Sequence, residues 1–478
     1  MELLMVAAEL APYVRQTEAA EAVASLAKSL RHLGHNVTVL CPKQPGFEAA
    51  GLLLARRLTP LALPDGGEVM LADALLPSGV QLLTFDAPVL FERPGVYGED
   101  GKDYPDNAKR FGLIGQVALA VVRQRLAQGH ALDVLHAHDV AAGLSLVQLR
   151  EAQDLGVPGI LTIHDGARQG LFPVKELEDL ALPKRAAADP ELRLASKLCA
   201  LKVAMLAADA ITTVSPSYAA ELADPERVGG LAEVVQALPK PIVGVLCGVD
   251  YGTFNPATDA AITSRYDAED VANKGRCRTH LLRACGLELD VERPLFVHVG
   301  EWTRDRAFDV VLAALPRLLK HDLSLVVVGS GPSALEKRLQ SHLERHSDRL
   351  AWQPQLDSPT LRRALAAADF ALMADSHLPC GSVQLAAQRY GAVVVARAVA
   401  GIADTIVDAD AELETGTGFL FDGADPAALT GAVARALGAY RSRAMGALRR
   451  RVMRQDMSWD RPARRYVQIY RQTLGSTA

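Results

Sequence analysis

Polar residues that could do acid–base or hydrogen-bonding chemistry follow two apolar runs of the sequence. His136, His138 and Asp139 end the run DVLHAHD, and His164 and Asp165 follow GILTI. In a parallel α/β sheet, the groups that contact a ligand lie beyond the carboxyl ends of the strands. The pattern therefore predicts a binding site. Because His136 and His138 alternate on one face of a strand, they could equally be hydrogen-bonded polar groups at its edge.

Three arginines come shortly after apolar runs of the sequence. Arg15 follows the first apolar run, and Arg304 and Arg306 follow PLFVHVG. Taken alone, such arginines most often belong to a solvated charged surface. The segment DYPDN around Asp106 could be a capped turn, and the turn GSG after VVV is common in α/β proteins. The residue types alone leave these roles open.

The elements that must position these residues alternate between short apolar runs and helical patterns, which predicts parallel sheets with crossover helices. The predicted strands of the first half are Glu2–Ala7, Asn36–Leu40, Val80–Thr84, Leu132–Leu135, Gly159–Ile163 and Ala210–Val214, and Thr17–Leu33 is the first crossover helix. The predicted strands of the second half are Pro294–Val299, Leu323–Val328, Asp369–Met373 and Ala392–Val395. Trp459, Tyr466 and Tyr470 are predicted to pack the C-terminal helix. Two doubly wound α/β domains follow from this pattern.

Length and composition agree with two globular domains. The chain has 478 residues, which is more than one hydrophobic core usually serves. Of these residues 49% are hydrophobic and 22% are charged, as is typical of globular proteins. Its 51 basic and 56 acidic residues are spread along the chain, so nucleic acid is not an expected partner. The six scattered cysteines lack metal-ligand spacing, so no metal or cofactor is expected. No apolar run approaches the ~20 residues that a membrane span needs, and no signal peptide is recognised, so we expect a cytoplasmic protein without a membrane partner.

A family resemblance rests on many ordered segments, including AAELAPYV, FERPGVYGEDGKDYPDNAKRF, DVLHAHDVAAGL, ILTIHDGARQGLFP, ADFALMADSHLPCGSVQL and QDMSWDRPARRY. From residue 1 to about 472 the sequence resembles bacterial glycogen synthases and plant starch synthases. The resemblance implies an α/β GT-B fold, in which two Rossmann-like doubly wound domains face each other across a cleft. We expect these domains at residues 1–245, on the acceptor side, and 246–455, on the donor side. A helix at 456–478 is expected to cross back to the first domain.

The same resemblance implies a reaction and its residues. The family transfers glucose from ADP-glucose to the non-reducing end of an α-1,4-glucan, with retention of configuration and without a metal ion. Asp106 and His138 are the implied catalytic residues, and His138 is preferred to His136 as the contact to the donor glucose because it is nearer the strand end. The implied donor-binding residues are Arg15, His136, Asp165, Gln169, Arg304, Arg306, Gly381 and Gly401.

Several positions depart from the family's motifs. The Lys-Thr-Gly-Gly-Leu loop of the family is here residues 15–19, which places Glu18 at a glycine position. Its Arg-Leu-Thr-x-Gln-Lys-Gly segment is residues 301–307, with Glu301 for the arginine, and its Phe-Glu-Pro-Cys-Gly segment has Leu378 for the glutamate. Further departures are Cys247 for an asparagine, Leu356 for a tyrosine, and Val399 and Ala400 in a Thr-Gly-Gly turn. An acid in place of a cation opposes a departing diphosphate.

Two functions are therefore expected as alternatives. In the first, the protein is a glucan synthase that uses ADP-glucose or another nucleotide sugar. In the second, it is a catalytically inactive paralogue that binds α-glucan, or another protein of glycogen metabolism, and acts as a regulator or scaffold.

Overall fold

The computed structural model describes residues 1–99, 101–152, 154–290 and 292–477. The chain forms two compact units, the first consisting of Met1–Cys247 with Trp459–Ala478 and the second of Gly248–Ser458. Among the described residues, no helix combines the length and apolar character that crossing a membrane requires.

The first unit is built on a mainly parallel sheet. Its strands are β1 (Glu2–Val6), β2 (Asn36–Pro42), β3 (Ala55–Arg56), β4 (Leu61–Ala62), β5 (Glu68–Leu75), β6 (Gln81–Asp86), β7 (Gly98–Glu99), β8 (Lys102–Asp103), β9 (Val134–His138), β10 (Gly159–Ile163), β11 (Leu171–Phe172), β12 (Arg193–Leu194), β13 (Lys197–Cys199), β14 (Ala210–Thr213) and β15 (Val243–Gly244). The large sheet has the order β15-β14-β10-β9-β1-β2-β6-β5-β3, with β4 also paired to β5. Strands β3, β4 and β5 pair antiparallel, an edge that the sequence did not predict.

Helices cover this sheet. They are α1 (Glu18–His32), α2 (Pro45–Ala49), α3 (Pro88–Phe91), α4 (Asn107–Ala127), α5 (Asp139–Glu151), α6 (Ala200–Ala207), α7 (Pro216–Glu221), α8 (Pro225–Val228) and α9 (Leu231–Gln236). Helix α1 begins after Thr17, whose hydroxyl accepts from the Ala19 N–H at 3.2 Å. This cap satisfies one of the free amides at the helix start, and the buried face of α1 carries Val23, Leu26 and Leu30.

The second unit has a six-stranded parallel sheet. Its strands are β16 (Leu295–Val299), β17 (Ser324–Val328), β18 (Leu350–Gln353), β19 (Phe370–Met373), β20 (Val393–Arg397) and β21 (Gly418–Phe421), in the order β18-β17-β16-β19-β20-β21. Its helices are α10 (Lys274–Ala284), α11 (Phe308–Leu318), α12 (Ser333–Leu343), α13 (Ser358–Ala367), α14 (Ser382–Arg389), α15 (Ala400–Thr405), α16 (Pro426–Tyr440) and α17 (Met445–Arg454). Each predicted strand is present, with ends that differ by a few residues.

The last helix, α18 (Asp460–Thr477), belongs to the first unit. It begins later than residue 456 because the Asp456 carboxylate accepts from the Ser458 N–H at 3.0 Å, a turn that separates it from α17. Trp459, Tyr466 and Tyr470 are buried, as predicted. The C-terminal residues are thus part of the core of the first unit.

Each large sheet has one point where the strand order reverses. In the first unit this point lies between β1 and β9, and in the second between β16 and β19. Ligands of open α/β sheets bind beyond the carboxyl ends of the strands at such switch points. The loops after these four strands are therefore the candidate functional site, taken unit by unit.

Candidate functional site

Three buried histidines lie at the carboxyl ends of β9 and β10, next to the switch point of the first unit. The Nδ1 of His138 lies 3.0 Å from Nε2 of His164, and the rings of His136 and His138 have centroids 4.1 Å apart. Burial lowers the pKa of His136 to about 3 and that of His164 to about 4, and it lowers the pKa of His138 well below its usual value. All three rings are therefore neutral near pH 7.

His136 has a protein partner at each ring nitrogen. Its Nδ1 lies 2.8 Å from the hydroxyl of Tyr470 on α18, and its Nε2 lies 2.6 Å from the hydroxyl of Thr162 on β10. The Thr162 hydroxyl is also 2.6 Å from that of Thr212 on β14. His136 thus joins the C-terminal helix to the middle of the sheet, and both of its nitrogens are engaged there.

Asp139 begins α5 in a left-handed conformation, with φ of 58°. Its Oδ1 accepts from the N–H of His164 at 2.6 Å and from the N–H of Asp165 at 3.3 Å. Burial raises the pKa of Asp139 to about 8 in spite of these hydrogen bonds. A strained residue at a strand end is typical of a functional loop, and this one fixes the backbone that carries His164.

The loop after β1 is held by a buried carboxylate, Glu9. Its Oε2 accepts from the N–H groups of Gln16 at 2.6 Å and Thr17 at 3.0 Å, and its Oε1 accepts from the hydroxyls of Thr17 and Tyr97. Burial raises the pKa of Glu9. The Oε1 of Gln16 in turn accepts from the N–H groups of Val96 at 2.6 Å and Tyr97 at 3.2 Å. Two amides of the loop that resembles a diphosphate-binding loop are therefore engaged by the chain's own carboxylate.

Asp106 lies at the start of α4 and is held by Arg93. The two guanidinium NH groups donate to its Oδ1 at 2.7 Å and its Oδ2 at 2.6 Å, and this contact lowers the pKa of Asp106. The neighbouring Arg110 is buried and donates to the carbonyls of Leu90 and Val96. The Asp106 carboxylate is thus fixed by one arginine while another supports the loop around it.

The other candidates of the first unit lie at its surface or in its loops. Arg15 is exposed. Asp165 accepts from the Ala167 N–H at 2.9 Å, and the Nε2 of Gln169 donates to the Val228 carbonyl at 2.8 Å. Of the predicted residues in this unit, the structure brings His136 and His138 together, and Asp165 is the residue after His164, whose ring contacts His138.

In the second unit, an ion pair spans the switch point. Arg306, after β16, lies 3.0 Å from the carboxylate of Asp375, after β19, and that carboxylate is buried. The carbonyl of Asp305 accepts from the Ser376 N–H at 2.8 Å and from its hydroxyl at 3.1 Å. The two loops are therefore joined to each other, and Arg306 already has an anionic partner.

The loops after β19 and β20 are also in contact. A Cβ placed on Gly401 would lie 2.9 Å from the Pro379 carbonyl oxygen, so only glycine fits there without movement. Gly381 precedes α14 with φ of 76°, a conformation that favours glycine. Leu378 is only 2% exposed and packs into the interior of the unit. The candidates Gly381 and Gly401 are brought together around a buried leucine.

Two alanines occupy left-handed positions where the resembled motifs have glycine. Ala307 precedes α11 with φ of 48°, and Ala400 begins α15 with φ of 38°. The backbone of both turns thus keeps a glycine-type shape although the residue has a Cβ. Val399 precedes Ala400 as the N-cap of α15 and offers no side-chain hydrogen bond.

The remaining substituted residues are placed as follows. Glu301 and Arg304 are exposed, Leu356 is 37% exposed, and Cys247 is buried at the end of the first unit. Among the described residues, no cluster of three or more His, Cys, Asp or Glu side chains could hold a metal ion.

Sequence reasoning missed Glu9, Gln16 and Asp375. Glu9 lies in the segment AAELAPYV and Asp375 in ADSHLPCG, both quoted for other reasons. Each acid has a distant partner, Tyr97 at 88 positions from Glu9 and Arg306 at 69 positions from Asp375. An acid next to a motif is a signal only once that distant partner is known.

Comparison with known proteins identifies the class. The catalytic domain of starch synthase IV from Arabidopsis thaliana, solved with ADP and acarbose, aligns with 99% of this chain and 99% of its own, with a TM-score of 0.88 and 24% identity. The sucrose-phosphate synthase of Thermosynechococcus elongatus aligns with a TM-score of 0.62 and 19% identity, over 99% of both chains. The fold is therefore that of the GT-B glycosyltransferases, as the sequence predicted.

Sequence comparison then gives the family. The model of the starch synthase catalytic domain matches residues 2–228, and that of glycosyl transferases group 1 matches residues 293–439. The glycogen synthase of Thioalkalivibrio sulfidiphilus is 36% identical over 98% of this chain and 99% of the relative, and that of Anaeromyxobacter dehalogenans is likewise 36% identical over 98% and 99%. The chain belongs to the glycogen synthase family, which confirms the resemblance found in the sequence.

Proposed function

We propose that this chain binds α-1,4-glucan and transfers glucose to it from ADP-glucose far more slowly than other members of its family. The observation that carries the proposal is the Arg306–Asp375 ion pair at 3.0 Å across the switch point of the second unit. By resemblance Arg306 would bind the donor's diphosphate, and its guanidinium already pairs with the Asp375 carboxylate. The first unit takes the acceptor side and the second the donor side in this proposal.

The charges around Arg306 support weak binding of a diphosphate. To bind Arg306, a phosphate of the donor would have to displace the buried carboxylate of Asp375. Glu301, at the position of the family's arginine, is exposed rather than paired in the interior. An acid ~4 Å from a phosphate repels it by ~4 kcal/mol at an effective dielectric of ~20, where a cation would attract it by a similar amount.

The residues near the transferred sugar also support slow transfer. Leu378 replaces a glutamate of the family and is buried, so it can neither accept a hydrogen bond nor stabilise a positive anomeric centre. In the first unit, Glu9 engages the amides of Gln16 and Thr17. With the Arg15 side chain exposed next to them, we assign Arg15 and Arg304 at most a weak role in binding the donor.

The first unit keeps the groups that recognise hydroxyls. His138 and Asp106 have fixed side chains, and we assign them as the residues that contact the sugar. We assign supporting positions to Asp165, to Gln169, which donates to the Val228 carbonyl, and to His136, whose two ring nitrogens are engaged. We therefore propose that the chain binds glucan although it binds the nucleotide-sugar donor weakly.

Transfer is tested with labelled ADP-glucose and glycogen, using the Thioalkalivibrio relative as the standard. Since losing one charge-stabilising donor costs ~10²–10³ in rate, we expect a rate below about one-thousandth of the standard. Calorimetric titration should detect binding of maltotriose and little binding of ADP. Transfer at a rate comparable to the standard would contradict the proposal.

A triple variant tests the cause. Glu301→Arg, Asp375→Ser and Leu378→Glu together free Arg306 and return the missing groups, so transfer should rise at least ~10-fold. The matched control is Leu289→Glu, Glu344→Arg and Asp348→Ser, which makes the same chemical changes at exposed positions of the second unit. An equal response of the two triple variants would mean that these positions do not limit transfer.

A second candidate function is regulatory binding to another protein of glycogen metabolism. Leu53 and Leu58 are 90% and 99% exposed and flank the edge strand β3, so apolar surface is available there. Binding of the host's active synthase, measured by calorimetry with the wild type and with Leu53→Lys and Leu58→Lys, tests this function. Binding that the two lysines abolish would support it, and no binding by the wild type would reject it.

A further inference from the structure

The surface of the first unit has an apolar groove to which glucosyl transfer assigns no role. Its volume is about 740 Å³, and its lining includes Leu171, Leu194, Leu206, Val234 and Leu238. Leu171 and Leu206 are 44% and 47% exposed, although both are large apolar side chains. Exposed leucines gathered in a concave surface of this size are typical of a binding site.

The lining of the groove favours a protein side chain as the ligand. Most of it consists of leucine, valine, alanine, proline and glycine. Among the described residues that line it, none is aromatic, so the groove has no ring on which the base of a nucleotide could stack. An apolar side chain of a second protein surface fits this lining best.

The exposed charges at the groove are acidic. Glu191 and Glu233 both lie at the groove and are exposed. The two basic residues of the lining are partly buried and directed at backbone carbonyls: the guanidinium of Arg193 donates to Ala187, and Nζ of Lys202 donates to Arg193 at 3.2 Å. The groove therefore suits an apolar surface that carries an exposed cation.

A surface of this kind lies at the edge strand β3 of the same unit. Leu53, Leu58 and Leu75 are 90%, 99% and 71% exposed. The register of β3 and β5, continued by two residues, places Leu53 opposite Leu75. Arg56, on β3 between the first two leucines, is exposed as well. These three leucines and Arg56 are called the edge patch below.

The edge patch and the groove belong to different ends of the large sheet. Strands β3 and β15 are its two end strands, and the eight strand spacings between them, at ~4.8 Å each, amount to roughly 38 Å. The groove takes Leu206 from α6, which leads into β14, and Val234 from α9, which leads towards β15. A copy of the chain therefore cannot fill its groove with its own edge patch.

We propose that the groove binds the edge patch of a second copy of this chain, with the leucines in the groove and Arg56 beside Glu191 and Glu233. Because the two surfaces differ, each pair of copies keeps one open groove and one open edge patch, and association continues into chains or a ring. The contact is small, so association is weak and requires a high protein concentration. This self-association is independent of glucosyl transfer and of glucan binding.

Sedimentation of the purified chain tests the charge pairing. The mean mass should rise as the protein concentration increases from ~1 to ~200 µM. Arg56→Glu places an acid against the acidic groove, and Glu233→Arg places a cation against Arg56, so each should weaken association at least ~10-fold. The double variant restores the opposite charges and should recover most of the association. Leu289→Lys, at an exposed position of the second unit, is the control and should behave like the wild type.

A mixing experiment tests the head-to-tail arrangement. Leu58→Lys damages the edge patch and keeps the groove, whereas Leu206→Lys damages the groove and keeps the edge patch. Each variant alone should stay a single chain at every concentration. An equal mixture should form a dimer with one copy of each and nothing larger, because only one intact groove and one intact edge patch remain to meet. If Leu206→Lys fails to fold, Glu233→Arg takes its place in the mixture.

Each contrary result would overturn the inference. These are a wild type that keeps the mass of one chain throughout, association that Leu58→Lys and Leu206→Lys leave intact, and a mixture that forms no dimer. The purified chain is free of any other synthase, so association there is distinct from regulatory binding of another protein through Leu53 and Leu58. None of these results depends on transfer or on maltotriose binding, so the proposed function stands or fails separately.

Discussion

Two alanines, Ala307 and Ala400, have strained backbone conformations at the starts of helices. Both have positive φ, 48° and 38°, at helix starts after β16 and β20, where the family's motifs have glycine. For a residue with a Cβ, the left-handed region costs ~1–2 kcal/mol. Both turns thus have a backbone shape that suits glycine, although each carries an alanine.

Replacing Ala307 with glycine should therefore stabilise the protein. Relief of the strain outweighs the larger entropy of glycine in the unfolded chain, so we expect a gain of about 0.5–1 kcal/mol in the free energy of unfolding. Denaturant unfolding measures the change. The control is Ala313→Gly, at an exposed position inside the same helix α11, which should cost about 1 kcal/mol. A loss of stability in both variants would show that residue 307 is unstrained.

The side chain of Glu9 determines the conformation of the loop after β1. Its carboxylate accepts from Gln16, Thr17 and Tyr97. In Glu9→Gln one acceptor oxygen becomes an NH2 group that faces donors, so we expect a loss of about 2 kcal/mol in the free energy of unfolding. Glu48→Gln, in the partly exposed ion pair with Lys43, serves as the comparison and should change stability by less than ~0.5 kcal/mol. Equal changes in the free energy of unfolding of the two variants would mean that the buried hydrogen bonds of Glu9 do not stabilise the fold.

At the scale of elements, the ends of β9 and β10 make stability depend on pH. The folded pKa values of His136 and His164 are about 3 and about 4, well below the unfolded value of ~6.5. Between pH ~6.5 and 4 the unfolded chain binds more protons than the folded one, so stability falls as the pH falls. Asp139, whose pKa is raised to about 8, and Glu9 act in the opposite sense and reduce the slope.

His164→Asn should therefore flatten this acid dependence. Removing one such group lowers the slope of the free energy of unfolding by up to about 1.4 kcal/mol per pH unit within that window. Urea unfolding at a series of pH values measures the slope. His280→Asn should keep the wild-type slope, because the exposed ring of His280 changes its surroundings little on unfolding. An unchanged slope in His164→Asn would mean that His164 is already solvated in the folded state.

The elements were easier to predict than their edges and contacts. Buried parallel strands such as β16 and β17 are continuous apolar runs, so their pattern is visible in the sequence. Strand β5 was missed because it lies at the antiparallel edge, where only part of the strand is buried. The ion pair of Arg306 with Asp375 was missed for another reason, since it depends on two loops that only the strand order brings together.

At the scale of the whole molecule, family and fold were predictable from the ordered motifs, whereas the state of the site was not. The sequence identified the substituted positions 301, 378 and 400. The effect of a substitution on function depends on the contacts that the neighbouring residues make in the folded chain. Arg306, for example, is neutralised by Asp375, and no motif of the sequence indicates this ion pair.

The C-terminal segment belongs to the core of the unit that begins the chain, so its removal should act on that unit selectively. Trp459, Tyr466 and Tyr470 are buried, and burial of three aromatic side chains contributes roughly 10 kcal/mol, comparable to the stability of a domain. In a chain ending at Ser458, hydrogen exchange measured by mass spectrometry should become fast in β9, β10 and β14 and stay slow in β16, β17 and β19. A chain ending at Arg471, which keeps all three aromatic residues, should retain protection in both sheets. Protection of β9 and β10 in the shorter chain would show that the first unit folds without α18, and that the hydrogen bond between Tyr470 and His136 is dispensable for the sheet.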